Sequence, residues 1–122
     1  MEKKIMIVDD AMFMRKLIRK NLEAEGYQNI IEASDGEGAL ELFQREQPDL
    51  MILDITMTGM SGIEVLEEVM RKASEAKVVM CSAMGQETMI LDALSKGASD
   101  FIVKPFKSDE FLKVINNCLK QG

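Results

Sequence analysis

Three carboxylates, a hydroxyl and an ammonium stand in this chain where chemistry explains them better than packing does. Asp9 and Asp10 close the apolar run "KKIMIVDD", Asp54 follows "LMIL", Ser82 follows "VVMC", and Lys104 follows "FIV". Each has a plain structural reading: Asp10 as a cap on the next helix, Ser82 as a loop serine, Lys104 as a solvated strand end. Asp54 resists such a reading, because it ends the most apolar run of all. Together the plain readings need several independent accidents, whereas a single site needs one. Clustered carboxylates raise one another's pKa values unless a cation intervenes. Lys104 offsets one charge. The rest suits a small hard divalent ion such as Mg²⁺, which takes few carboxylates, keeps waters and accepts a phosphate oxygen. Asp9 and Asp10 are then half of a metal site, and Asp54 the other half.

Such a site exists only if the fold brings these residues together. Apolar runs of strand length occupy Ile5–Val8, Asn29–Ala33, Leu50–Leu53, Val78–Cys81 and Phe101–Val103. Helical periodicity covers Met12–Glu25, Gly36–Gln47, Gly62–Lys72, Gln86–Lys96 and Ser108–Lys120. "SDG" and "KSDE" offer cap residues before the second and fifth helices, while Gly26 and Gly97 follow helix ends where a left-handed residue is wanted. The alternation predicts an α/β fold, a doubly wound parallel sheet covered on both faces, with strands apolar throughout. Right-handed crossovers put every strand's C-terminal end on one edge, where open α/β folds bind ligands. Four of the five strands deliver polar groups to that edge, and "NIIEAS" ends in nothing comparable.

Composition narrows the function. The 122 residues predict one domain spanning 1–122, with no linker, repeat or output domain in view. A net charge of −6 argues against nucleic acid or an anionic membrane as partner. No signal-peptide core and no run of bilayer length is present, so a cytoplasmic protein without membrane insertion is expected. The absence of histidine excludes Ser-His and Cys-His nucleophile pairs and histidine metal ligands. Cys81 and Cys118 read as small buried apolar residues. Arg15, Lys16, Arg19 and Lys20 on the first helix read as a solvated face, with docking of a kinase as the sharper alternative.

The Asp-Asp pair after the first strand, Asp54 after the third, Ser82 after the fourth and "KPF" after the fifth resemble the receiver domain of two-component response regulators, along the whole chain. "DDAMFMRKLIRKNLEAEGY" and "CSAMGQETMILDALSKGASDFIVKPF" are most similar to the stand-alone chemotaxis members of that family. The resemblance implies a five-stranded flavodoxin-like sheet in the order 2-1-3-4-5. It implies that Asp54 accepts a phosphoryl group from a histidine kinase, and that Asp9, Asp10, Asp54 and the backbone carbonyl of Thr56 hold Mg²⁺. Lys104 would bind a phosphoryl oxygen, Ser82 would donate to another, and Phe101 would change rotamer with the switch. Lys104–Pro105 matches the family's cis peptide. Such a protein is no enzyme beyond catalysing its own phosphorylation and slow autodephosphorylation. Its target is expected to be a flagellar motor switch protein, with a phosphorelay carrier as the alternative, and it is expected to act as a monomer.

Phosphoryl transfer asks for positioning and charge neutralisation, which a metal, a lysine and a hydroxyl supply. Three departures from the family pattern stand out. Thr58 occupies a position that is often Pro, Phe101 replaces a Tyr, and Thr56 and Met84 sit where dephosphorylation is tuned. On the fourth helix, Met89, Ile90, Leu91, Ala93 and Leu94 span about 200° of the wheel, against a little over about 100° for one buried stripe. Met89, Ile90 and Leu91, with Phe101, are the expected partner surface. Two rival classes fit worse: a dinucleotide domain wants a glycine-rich loop where "DDAMFM" stands, and an aspartyl phosphatase wants an acid where Thr56 stands.

Overall fold

In a computed structural model, which describes residues 2–120, strands and helices alternate from end to end. The elements are β1 (Lys4–Val8), α1 (Met12–Ala24), β2 (Asn29–Ala33), α2 (Gly36–Glu46), β3 (Leu50–Asp54), α3 (Gly62–Lys72), β4 (Val78–Ala83), α4 (Glu87–Ser95), β5 (Asp100–Lys104) and α5 (Ser108–Lys120). The strands form one parallel sheet in the order β2-β1-β3-β4-β5, as the resemblance implied.

Alternation along each strand splits the core in two. Met6, Val8, Met51, Leu53, Val78 and Met80 point to the face covered by α2, α3 and α4, through Ala39, Val65, Leu66, Val69, Ile90 and Ala93. Ile5, Ile7, Leu50, Ile52, Val79 and Cys81 point to the face covered by α1 and α5, through Ile18, Leu22, Phe111, Ile115 and Cys118. Both faces are dry, which is why β1 and β3 are apolar without alternation. Cys81 and Cys118 are buried free thiols.

Local signals fix the helix ends. Asp35 caps α2 by accepting from the Gly38 amide at 2.6 Å. Gly26 and Gly97 take φ of +100° and +110°, conformations that cost a side chain dearly. Ser108 proves to be the first residue of α5 rather than its cap, with Asp109 and Glu110 at the positive end of the helix dipole. Ser61 and Glu64 form a reciprocal capping box at α3. Immediately behind it, Gly62 lies so close to β3 that a Cβ there would stand 2.1 Å from the Asp54 carbonyl oxygen.

The strands run further than their apolar residues. Asp54, Ser82 and Lys104 are strand residues, not residues beyond strand ends, because the ladder continues through Asp54 opposite Cys81, Ser82 opposite Val103 and Ala83 opposite Lys104. Their side chains are therefore held by paired backbone rather than by loops.

Candidate functional site

The edge predicted to carry chemistry has an acidic centre. Asp9, Asp10 and Asp54 each place a carboxylate oxygen within 4.8 Å of the others, Asp9 and Asp54 buried and Asp10 exposed. The Lys104 ammonium reaches in from β5, with Nζ 3.1 Å from Asp54 Oδ1 and 3.2 Å from Asp9 Oδ2. Burial pushes the Asp54 carboxyl above its ordinary pKa; Lys104 pulls it down, and Asp9 and Asp10 push it up further. Burial alone would lower Lys104, but the joint attraction of Asp54 and Asp9 outweighs it and raises the ammonium's pKa. Three carboxylates against one ammonium leave a formal surplus of two negative charges. That donor set fits a hard divalent ion.

The acids are fastened individually. Asp9 Oδ1 accepts from the Ala11 amide at 2.9 Å, and Arg15 Nη1 donates to the Asp9 carbonyl at 2.7 Å. Asp10 is not the cap of α1, whose start has no side-chain cap; its Oδ2 accepts instead from the Thr58 amide and hydroxyl at 3.2 and 3.3 Å. A proline at that position has no N–H to offer, so the departure at Thr58 creates a tie between the two acid-bearing loops. Arg15 and Arg19 do not belong to a free basic face. Both grip Glu32 of β2, at 3.1 and 2.6 Å, and only Lys16 and Lys20 of that set are exposed. The second strand thus does contribute, through a carboxylate that the sequence reading passed over. The signal was there in two arginines four apart facing one acid.

Beside this centre the edge changes character. Ser82 is fully buried, yet its hydroxyl is left with no hydrogen-bond partner. Burial pushes the neighbouring Cys81 thiol up to about 12, so it stays protonated and inert. Thr56, two residues past Asp54, is exposed, and its hydroxyl accepts from Gln86 Nε2 at 2.7 Å. The α4–β5 face is apolar in the open: Met84 is 78% exposed, Leu91 67%, and Met89 and Phe101 are exposed as well. Ile90 is a correction. It is buried in the core beneath α4 and presents nothing to a partner. Phe101 borders a cavity of about 400 Å³ with Ala83, Ile90, Leu94 and Val103. Exposed apolar residues also crowd the start of α1, with Met12, Phe13 at 75% and Leu17.

A family model described as the response regulator receiver domain matches residues 5–116. The chain belongs to the response regulator receiver family. Like other receivers it is a phosphoacceptor switch rather than a true enzyme, and its fold and acidic triad are those of the family. This receiver is 46% identical over 119 residues to the chemotaxis protein CheY of Bacillus subtilis strain 168, covering 98% of this chain and 99% of that protein. It is 41% identical to the chemotaxis protein CheY of Thermotoga maritima, covering 98% and 100% of the two. Among solved structures, it superposes on the receiver domain of NtrX from Brucella abortus with a TM-score of 0.93 at 34% identity, covering 98% of this chain and 100% of that one. No helix among the described residues is long and apolar enough to cross a membrane.

Proposed function

We propose that Asp54 is the phosphoacceptor of a chemotaxis switch. The observation that carries this reading is Lys104 bridging the buried Asp9 and Asp54 inside one acid cluster. An Asp54 carboxylate oxygen attacks the phosphorus of a phosphohistidine on a kinase; the P–N bond breaks and its electron pair stays with the imidazole nitrogen. The carboxylate needs no general base, since it is ionised at neutral pH. Asp9, Asp10, Asp54 and the Thr56 backbone carbonyl would hold Mg²⁺, which when bound neutralises charge on the phosphoryl oxygens. Lys104 binds a phosphoryl oxygen, and the unpartnered Ser82 hydroxyl donates to another.

An unsatisfied buried hydroxyl costs roughly 1–3 kcal/mol, so Ser82 gains a partner on phosphorylation that it otherwise lacks. Moving toward the phosphoryl group, it draws the Ala83–Gly85 segment with it and lets Phe101 turn into the neighbouring cavity. The phosphoryl group shifts this two-state equilibrium only by its differential interactions with the two states. Met89, Leu91 and Phe101 form the surface that reads the change, and Met12, Phe13 and Leu17 offer the kinase an apolar rim beside the acids. The relatives named for chemotaxis favour a flagellar motor switch protein as the target; we place that meeting in the cytoplasm and read this chain as a monomer.

Incubation with acetyl phosphate and Mg²⁺ should add one phosphoryl group to the intact mass of wild type and none to Asp54→Asn. A strain lacking this protein should lose control of swimming direction, and Asp54→Asn should not restore it. A phosphoryl gain in Asp54→Asn overturns the residue assignment. Intact motility control, with the phosphoryl group passing to a histidine of a second protein, overturns the target.

A further inference from the structure

Gln86 occupies the position before α4 where Ser, Thr, Asp or Asn would cap the helix, and it caps nothing. Its side chain folds back over the edge of the sheet instead. Gln86 Oε1 accepts from the Ala83 amide at 2.7 Å, and Nε2 donates to Thr56 Oγ1 at 2.7 Å, with Met89 Sδ at 3.7 Å as a weaker neighbour. One amide therefore joins the loop after β4 to the loop after β3. Both ends of it are engaged, by residues two past Asp54 and one past Ser82.

We propose that Gln86 is a positioning residue, a clasp that holds the two loops beside Asp54 in their unphosphorylated arrangement and must release the Ala83 amide for the switch to complete. The inference rests on Asp54 being the phosphoacceptor. A phosphoryl group brings three strong acceptor oxygens and about 1.5 to 2 negative charges to a rim where a carboxylate stood. Donors nearest to it are recruited. The Ser82 hydroxyl is free to respond, but the adjacent Ala83 N–H is already spent on Gln86, and Ala83 pairs with Lys104 across the ladder. The loop cannot follow Ser82 without breaking a bond that a shorter side chain would never have made. Gly85, at φ +89°, supplies the hinge between Ser82 and the clasp.

The variants Gln86→Ala, Thr56→Val and the pair together separate a clasp from a bystander. Gln86→Ala loses the bonds to both Ala83 and Thr56, and at about half of one ordinary net hydrogen bond apiece it should be phosphorylated by acetyl phosphate about three- to tenfold faster than wild type. Thr56→Val should give a smaller rise, and the double variant no more than Gln86→Ala alone, since both remove the same contact. Gln86→Glu keeps an acceptor for the Ala83 amide, and the Thr56 hydroxyl can turn to donate to the same carboxylate, so exchange at the Ala83 amide should stay as slow as in wild type. In the Asp54→Asn background, where no phosphoryl group enters, Gln86→Ala should still speed hydrogen exchange at the Ala83 amide. Unchanged phosphorylation, additive effects or unchanged Ala83 exchange in Gln86→Ala would each overturn the clasp. Absence of any mass gain in wild type points to a different fault, in the assignment of Asp54, and the exchange measurement still reads the clasp.

Discussion

The two halves of the functional edge are built to different specifications. Around Asp9, Asp10 and Asp54 each carboxylate is tied through at least one oxygen: Lys104 holds two of the acids, Thr58 the third, and Arg15 joins the Asp9 carbonyl to Glu32. Around Ser82 and α4 a buried hydroxyl goes without a partner, a cavity lies beside an exposed Phe101, and Met84 and Leu91 stand in water. The first half is arranged in advance for charge that has yet to arrive, which is how a site stabilises a phosphoryl transfer state without reorganising. The second half keeps its unmet contacts in reserve, so that a change at Asp54 has something to settle. A switch needs both. A wholly satisfied edge would bind and report nothing, and a wholly loose one would report at random.

The sharpest way to break the tied half is Gly62→Val. Its Cβ would meet the Asp54 carbonyl at 2.1 Å, against backbone that cannot give. A loss of more than about 3 kcal/mol in urea unfolding is expected, with poor expression. Saturating Mg²⁺ should act in the opposite direction, raising thermal stability by about 2.7 kcal/mol at a hundred times its Kd. That gain should largely vanish in Asp54→Asn and Asp10→Asn.

Without the metal, Asp54→Asn should itself stabilise the fold at neutral pH. A carboxyl whose pKa is raised in the folded state penalises folding most when it is ionised in both states. The penalty is full above the folded pKa and falls away as pH drops through it toward the ordinary 3.8. Chemical denaturation across that range should therefore show wild type gaining on Asp54→Asn as pH falls.

Ser82→Ala probes the reserve half. Removing an unpartnered hydroxyl should leave the unphosphorylated fold unchanged or up to about 1 kcal/mol more stable, while Phe101 no longer responds to phosphorylation by NMR. A loss of stability would mean that the hydroxyl is already bonded. The smallest effect is expected for Thr58→Pro, which deletes both donors to Asp10. It should tighten Mg²⁺ about threefold by calorimetry, because the ion then displaces no hydrogen bonds from that carboxylate.

How much was legible follows from which interactions leave a mark on sequence. Asp54, Ser82 and Lys104 were legible because polar residues closing apolar strands are conspicuous, and a parallel sheet sends all such ends to one edge. The strand order came with the family resemblance, since local periodicity says nothing of which strands are neighbours. Leu91 and Ile90 show the limit of a helical wheel. Both lie in one broad apolar arc, and only the packing of α4 on β4 decides that Ile90 faces in and Leu91 out. Glu32 and Gln86 were missed for a shared reason. Glu32 meets Arg15 and Arg19 from another element, and Gln86 meets Thr56 from another loop; the spacing of the arginines was visible, but not which acid they share.

Cys81 sits in the strand beside Asp54, out of reach of water and with its proton held fast. Thiol reagents need both access and a thiolate, so Cys81 should ignore them until β4 parts from its neighbours, whereas Cys118 answers to the loosening of α5. Labelling of Cys81, read by mass on its own peptide, thus gives this protein a native stopwatch for the opening of its central sheet, with no probe to engineer.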